Sequence, residues 1–117
     1  MTTRKKINKG LNLSSTNTGI VAAALKNDYD NVVKILREFP DAVNEQDQQG
    51  MSALMVAAGR GHLRIVQLIC SCPEVSWSLV DNSGRTALDL AYGQTDILKQ
   101  IIRSQFGGVN LSKPEVL

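Results

Sequence analysis

The feature that most constrains this chain is a period of 34 residues. Asp47, Gly50, Ala53, Leu54 and Ala57 fall in register with Asp81, Gly84, Ala87, Leu88 and Ala91. In the other direction, Ala57, Ala58, Val66, Ile69 and Cys70 fall in register with Ala23, Ala24, Val32, Ile35 and Leu36. Self-similarity at that period marks a stack of short supersecondary units, because one unit cannot bury its apolar face alone.

The unit is clearest between Asp47 and Cys70. A turn at Gln48-Gln49-Gly50 leads to Ser52, a candidate N-cap, and a short apolar helix over Ala53–Ala58. Gly59-Arg60-Gly61 reverses the chain, and a second helix follows with Leu63, Ile65, Val66, Leu68 and Ile69 at helical spacing. Gly61 is expected to make the reversal through a backbone angle that side chains oppose. The first unit has candidate caps at Ser14-Ser15-Thr16-Asn17-Thr18, a helix from about Gly19 to Lys26 and a break at Asn27-Asp28. Its second helix spans about Tyr29 to Phe39, with Val32, Val33, Ile35, Leu36 and Phe39 inward, and stops at Pro40 before a loop over 41–45. Between units two and three, Val75, Trp77, Leu79 and Val80 alternate with polar residues as a half-buried extended segment would, with Trp77 packed on the apolar side. The third unit turns at Asn82-Ser83-Gly84-Arg85, caps at Thr86 and ends in a helix with Ile97, Leu98, Ile101, Ile102 and Phe106. Matching Leu98 with Val66 needs an offset of 32, so two residues are missing, expected around Gly93-Gln94.

Aromatic residues are only 4% of a chain that is 43% apolar, so the core is aliphatic and alanine-rich, which suits closely packed small helices. Charge is uneven. Arg4, Lys5, Lys6 and Lys9 hold four of the 13 basic residues; without them the balance against 11 acids is 9 − 11 = −2. The body therefore lacks the basic folded face of a nucleic-acid-binding domain, and nucleic acid is disfavoured as a partner. The basic run itself reads first as a solvated tail. The alternative is attachment to nucleic acid or an anionic membrane. No apolar run approaches a membrane span, and no apolar stretch follows the basic residues as a secretory signal requires. Cys70 and Cys72 are too close for an ordinary disulfide. These features predict an intracellular, cytoplasmic chain.

No catalytic or cofactor-binding constellation assembles. His62 is the single histidine and stands at a helix start. As a base it would need Cys70 or Cys72 as nucleophile, but Cys70 falls in register with Leu36 and Ile102 at an aliphatic core position. Cys72 lies past the helix end and is expected to be an incidental exposed thiol. The same three residues fall short of zinc in ligand number and spacing. The glycine pairs do not follow a strand into a helix, as a phosphate loop requires. The chain is read as no enzyme, with no cofactor and no metal.

Asp47-Gln48-Gln49-Gly50-Met51-Ser52-Ala53-Leu54, then Ala57-Ala58, Gly61-His62 and Ile65-Val66-Gln67-Leu68-Ile69, resemble the ankyrin repeat. The third copy gives Asp81-Asn82-Ser83-Gly84-Arg85-Thr86-Ala87-Leu88. The first keeps Ala23-Ala24, Asn27-Asp28 and Val32. The resemblance covers about residues 18–106 and implies an all-α solenoid of three helix-turn-helix units joined by hairpin-like turns. The boundaries would be a basic flexible tail at 1–17, repeats at about 18–46, 47–80 and 81–106, and a C-terminal tail at 107–117. The family's first-turn proline is replaced by Ala53 and Ala87, and its first-helix histidine by Met55 and Asp89. The histidine commonly bridges neighbouring loops, so weaker bonding between repeats is expected. Three units are near the minimum for a stack, predicting a cooperative monomer of modest stability.

By the same resemblance the function is binding of another protein, as an adaptor or stoichiometric inhibitor, through the turn tips and the concave face. The identity of the partner and the setting, whether host regulator or delivered effector, stay open. The periodic positions are taken up by packing, so partner choice falls to the variable ones. These are Leu25 and Lys26 in the first unit; Gln46, Gln48, Gln49, Met51, Gly59 and Arg60 in the second; and Val80, Asn82, Ser83, Arg85 and Gln94 in the third. Met and Arg are enriched at protein interfaces, which favours Met51, Arg60 and Arg85.

Overall fold

The computed structural model describes residues 18–106. The basic run at Arg4–Lys9, the caps from Ser14 to Asn17 and the C-terminal stretch 107–117 lie outside the described residues.

Three helix pairs stand side by side: α1 (Ile20–Leu25) with α2 (Tyr29–Glu38), α3 (Ala53–Arg60) with α4 (Leu63–Cys70), and α5 (Ala87–Leu90) with α6 (Thr95–Gln105). The first helices pack in the order α1, α3, α5 and the second helices in the order α2, α4, α6, so two layers run the length of the stack. Helix α3 is enclosed on three sides, by α1, α5 and α4. Its sequence has no polar face to spare: Ala53, Leu54, Met55, Val56, Ala57 and Ala58 are all buried. Its alanines let the neighbouring helices approach closely. In α4, Ile65, Val66 and Ile69 are fully buried, each contributing about 1.5–3 kcal/mol by leaving water.

The local chemistry sets each boundary. Ser52 Oγ accepts the Met55 N–H at 3.2 Å and Thr86 Oγ1 accepts the Asp89 N–H at 3.2 Å, so both expected caps form. The two residues that replace the family histidine turn back onto the caps. Met55 Sδ accepts the Ser52 N–H at 3.5 Å, and Asp89 Oδ2 accepts the Thr86 N–H at 3.0 Å. Helix α1 differs, because its N-cap is Gly19 in the left-handed region, and of the expected caps Thr18, one residue earlier, accepts the Ile20 N–H on Oγ1 at 3.3 Å. Each helix pair reverses through one left-handed residue: Asn27 at φ 59°, Gly61 at φ 80° and Gly93 at φ 85°. Gly61 therefore acts as expected, and asparagine, whose short side chain tolerates this region, replaces glycine in the first repeat.

Several expectations need correction. Phe39 ends α2 half-exposed, with relative exposure of 50%, because the chain turns away at Pro40. Phe106 is likewise 51% exposed at the end of α6. Residues Pro40–Asn44 form a 3-10 helix that buries Ala42 and Val43, and not an open loop. Residues 75–80 make turns and no strand; Val75, Trp77 and Leu79 are half-buried while Val80 is exposed. The two missing residues come from the end of α5, ahead of Gly93, since Gly93 and Gln94 occupy the structural places of Gly61 and His62. Cys70 is half-buried and not fully enclosed; Cys72 is half-buried as well, its Sγ donating to the Leu68 carbonyl at 3.5 Å.

Bonds between repeats take routes other than the family histidine. In the turns, Asn82 N–H donates to the Gln49 carbonyl and Asn82 Nδ2 to the Gln48 carbonyl, both at 2.9 Å, while Gln46 Nε2 reaches the Val80 carbonyl at 2.9 Å. At the far end of the first helices, the N-cap residue of a second helix reaches back one repeat. His62 Nε2 lies 3.3 Å from the Leu25 carbonyl, and Gln94 Nε2 donates to the Ala58 and Gly59 carbonyls at 2.7 and 3.1 Å. The ends of α1 and α3 leave the Leu25 and Gly59 carbonyls without a helical partner, while the Ala58 carbonyl also accepts the Gly61 N–H at 3.3 Å. Asn44 ties the 3-10 helix to the next repeat, its Nδ2 donating to the Glu74 carbonyl at 2.7 Å and its Oδ1 accepting the Ser76 N–H at 2.8 Å. The Arg64 guanidinium sits 4.1 Å from the centre of the Tyr29 ring, joining α4 to α2.

Candidate functional site

Turns and first helices together shape one open groove. Asp47 Oδ1 accepts the N–H groups of Gln49 and Met51, each at 2.9 Å, and the Asp47 N–H donates to the Met51 carbonyl at 2.9 Å. That closes a tight loop whose tip is Gln48-Gln49, with Gly50 at φ 80°. Beside it, the end of α1 and the last turn of α3 complete a hollow of about 330 Å³. Its wall and floor are Leu25, Gln49, Met51, Gly59 and Arg60, together with Val56 and the Asp47 carboxylate. Thus five residues of the sequence-derived surface, spread over 36 positions of chain, meet in one place.

Their individual states differ from the sequence reading in part. Leu25 is 41% exposed, and Arg60 is exposed with no ion pair among the described residues. Met51 is half-buried against the core and not a free apolar tip. Gly59 is helical and exposed, and a Cβ there would meet Leu90 at 3.9 Å, which is ordinary contact. Neither turn geometry nor packing demands glycine at that position. Gly59 lines the hollow, and with no side chain its stretch of the wall stays low.

Others of the thirteen are engaged within the stack. Gln46, Asn82 and Gln94 make the bonds between repeats already described. Arg85 closes its own turn, with Nε and a terminal nitrogen 2.9 and 2.8 Å from Asp81 Oδ2. Asp81 is buried, and Oδ1 also accepts the Arg85 and Ser83 N–H groups at 3.0 and 2.8 Å. The Arg85 N–H first, then its guanidinium and the Ser83 N–H, hold the Asp81 carboxyl below the usual carboxylate range against the opposing effect of burial. Lys26, Gln48, Ser83 and Val80 are exposed at the rim and tips, away from the hollow's lining. Tyr92, 88% exposed on the reversal after α5, was missed by sequence reasoning. Only the shortening of α5 pushes it clear of the stack.

Burial pushes the Cys70 thiol up to about 11, and burial also raises Cys72, so neither is a thiolate nucleophile at neutral pH. Among the described residues no group of three or more His, Cys, Asp or Glu side chains is placed to hold a metal, and no helix is long and apolar enough to cross a membrane.

Comparison with known proteins agrees with this geometry. A family profile for ankyrin repeats in three copies matches residues 20–113. The chain is 38% identical over 71 residues to the NAD-capped RNA hydrolase NUDT12 of Homo sapiens, covering 59% of this chain and 15% of that protein. It is 31% identical over 80 residues to Rabankyrin-5 of Mus musculus, covering 67% of this chain and 7% of that protein. A UPF0507 protein of Yarrowia lipolytica matches over 65 residues at 31%, covering 53% of this chain and 6% of its own length. The chain thus spans a small fraction of the curated relatives it matches. With the profile covering most of the sequence and three stacked helix pairs in place, the chain belongs to the ankyrin-repeat family.

Proposed function

We propose that this chain is a non-enzymatic adaptor or stoichiometric inhibitor, which docks on a folded partner protein through the hollow between its first two repeats. One observation carries the reading: Leu25, Gln49, Met51, Gly59 and Arg60 line one open hollow, and the exposed helical glycine has no structural requirement behind it. A glycine inside a helix costs up to about 0.5–1 kcal/mol relative to alanine, less in the last turn where Gly59 stands, so a position that keeps one without packing or backbone need points to use of the space. Met and Arg are enriched at protein interfaces, where a few side chains, Arg among them, carry most of the affinity. The family's general role in protein–protein contact supports the same reading.

The test is a comparative capture from native lysate with three purified chains. Gly59→Trp fills the hollow, Arg60→Glu reverses its cation, and Lys99→Glu changes an exposed residue of α6 on the opposite layer. Proteins retained by the parent chain and by Lys99→Glu, and lost by both hollow variants with circular dichroism unchanged, are the expected result. Retention by all three variants would move the interface elsewhere.

A further inference from the structure

We infer that the hollow and its rim select an acidic, extended protein segment, one carrying an aliphatic side chain between two carboxylates. This rests on the proposed use of the hollow as a protein interface and adds the chemistry of the occupant.

The charge layout is the ground for it. The described residues carry eight Lys and Arg against ten Asp and Glu, a net of −2, yet the helices that border the hollow carry no acid at all. Helix α1 is Ile-Val-Ala-Ala-Ala-Leu and α3 is Ala-Leu-Met-Val-Ala-Ala-Gly-Arg. Lys26 caps the end of α1, and Arg60, its counterpart one repeat later, ends α3. Both are exposed, and the one ion pair among the described residues is Arg85 with Asp81, so neither is neutralised. The single acidic residue lining the hollow, Asp47, is exposed and binds two N–H groups of its own turn through Oδ1, and the two cations outnumber it. A basic edge on an otherwise acidic body repels basic partners from that edge, while the body repels acidic ones and so steers them to the edge.

The spacing sets the register. Helices α1 and α3 pack side by side, so Lys26 and Arg60 stand about 8–10 Å apart. An extended chain rises about 3.3 Å per residue and turns alternate side chains to one face, so carboxylates four residues apart, about 13 Å along the chain, reach both cations through the long Lys and Arg side chains. The residue midway between them, on the same face, lies over Leu25, Met51 and Val56, and the bare Gly59 backbone leaves room for the segment. Two cations on a body of net negative charge make a poor track for a polyphosphate backbone, which is why a protein segment is favoured over nucleic acid.

The experiment uses the nitrogen-15-labelled full chain and follows its backbone amides during titration. Three probes are compared: capped Gly-Glu-Ala-Leu-Ala-Glu-Gly, its twin Gly-Lys-Ala-Leu-Ala-Lys-Gly, and a ten-residue thymidine oligonucleotide. The acidic peptide should shift the amides of Leu25, Gly59 and Arg60, binding about tenfold more tightly than the basic twin at low salt, as two exposed ion pairs allow. The preference should shrink at about 0.5 M salt, where exposed pairs are screened. Arg60→Glu should reverse it, and Lys99→Glu should leave it intact. Equal binding of the two peptides, or an oligonucleotide that shifts the same amides as strongly, overturns the inference. A preference for the basic twin overturns the acidic chemistry while leaving the hollow as an interface, which the lysate capture tests separately. Shifts confined to α2, α4 and α6 overturn both.

Discussion

Replacing Gly50 and Gly84 by alanine, one at a time, separates the two jobs of a repeat turn. Both residues are left-handed, at φ 80° and 81°, so either alanine costs about 1–2 kcal/mol in backbone strain. The surroundings differ. A Cβ on Gly84 would meet no described atom within 4 Å, whereas one on Gly50 would lie 2.8 Å from the Asn82 backbone nitrogen and 2.9 Å from Asp81 Cα. Backbone atoms cannot swing aside as a side-chain end does, so the second and third turns must separate. That weakens the Asn82 N–H bond to Gln49 and the Asn82 side-chain bond to Gln48, each with a net worth of about 0.5–1.5 kcal/mol. Gly84→Ala is therefore expected to cost about 1–2 kcal/mol and Gly50→Ala about 2–5 kcal/mol. Urea denaturation followed by far-ultraviolet circular dichroism, with the slope held common, reads the difference. For a domain of this size about 1 kcal/mol moves the midpoint temperature by roughly 4–8 °C, so thermal melts resolve it too. Equal destabilisation within about 0.5 kcal/mol would refute the close turn-to-turn contact on which the stacking argument depends.

Three further outcomes follow from the same contacts. Asp81 has a depressed folded-state pKa, so its contribution is complete above its unfolded value of about 3.9 and is lost as pH falls through the folded value; Asp81→Asn should lower the melting temperature at neutral pH and flatten its decline below about pH 4, and parallel curves would contradict this. With its thiol pushed up to about 11, Cys70 should react with iodoacetamide at about pH 8 roughly two orders of magnitude more slowly in the native chain than in urea, read by mass spectrometry of the peptides, and similar rates would contradict the burial. Gln94→Ala removes the donor to the Ala58 and Gly59 carbonyls and should cost about 1–2 kcal/mol, whereas Gln48→Ala, an exposed tip residue whose side chain makes none of the described bonds, should stay within about 0.5 kcal/mol.

Much of the architecture is written in the sequence because its causes are local or periodic. Ser52 and Thr86 precede their helices at cap positions, Gly61 stands where the chain must reverse, and the aliphatic register at 34 residues dictates which faces are buried. The hollow was legible for a related reason: Leu25, Gly59 and Arg60 interrupt the packing register, and residues that do not pack must face out. The polar bonds between repeats were not legible. The partner of Gln94 is a carbonyl 36 residues earlier, that of Asn82 is 34 earlier, and no property of a single unit says which carbonyl an amide side chain will find. Hence Gln46, Asn82 and Gln94, which read as surface residues open to a partner, serve the stack instead. The helix over Pro40–Asn44 escaped for want of periodicity, since one turn of 3-10 structure has no face to repeat. Arg85 is an intermediate case: its link to Asp81 is a four-residue relation within one turn, readable once the turn is recognised.

The central claim is that the repeats hold one another through their helices and turn backbones, leaving the hollow beside Gly59 as the surface that meets a partner. Hydrogen–deuterium exchange of the chain, alone and with the protein that the parent chain captures and Gly59→Trp does not, tests it most directly. The account predicts added protection at residues 47–51 and 59–61, with the amides of α4 and α6 unchanged. Protection appearing on α4 or α6 while residues 47–51 and 59–61 exchange as before would contradict it.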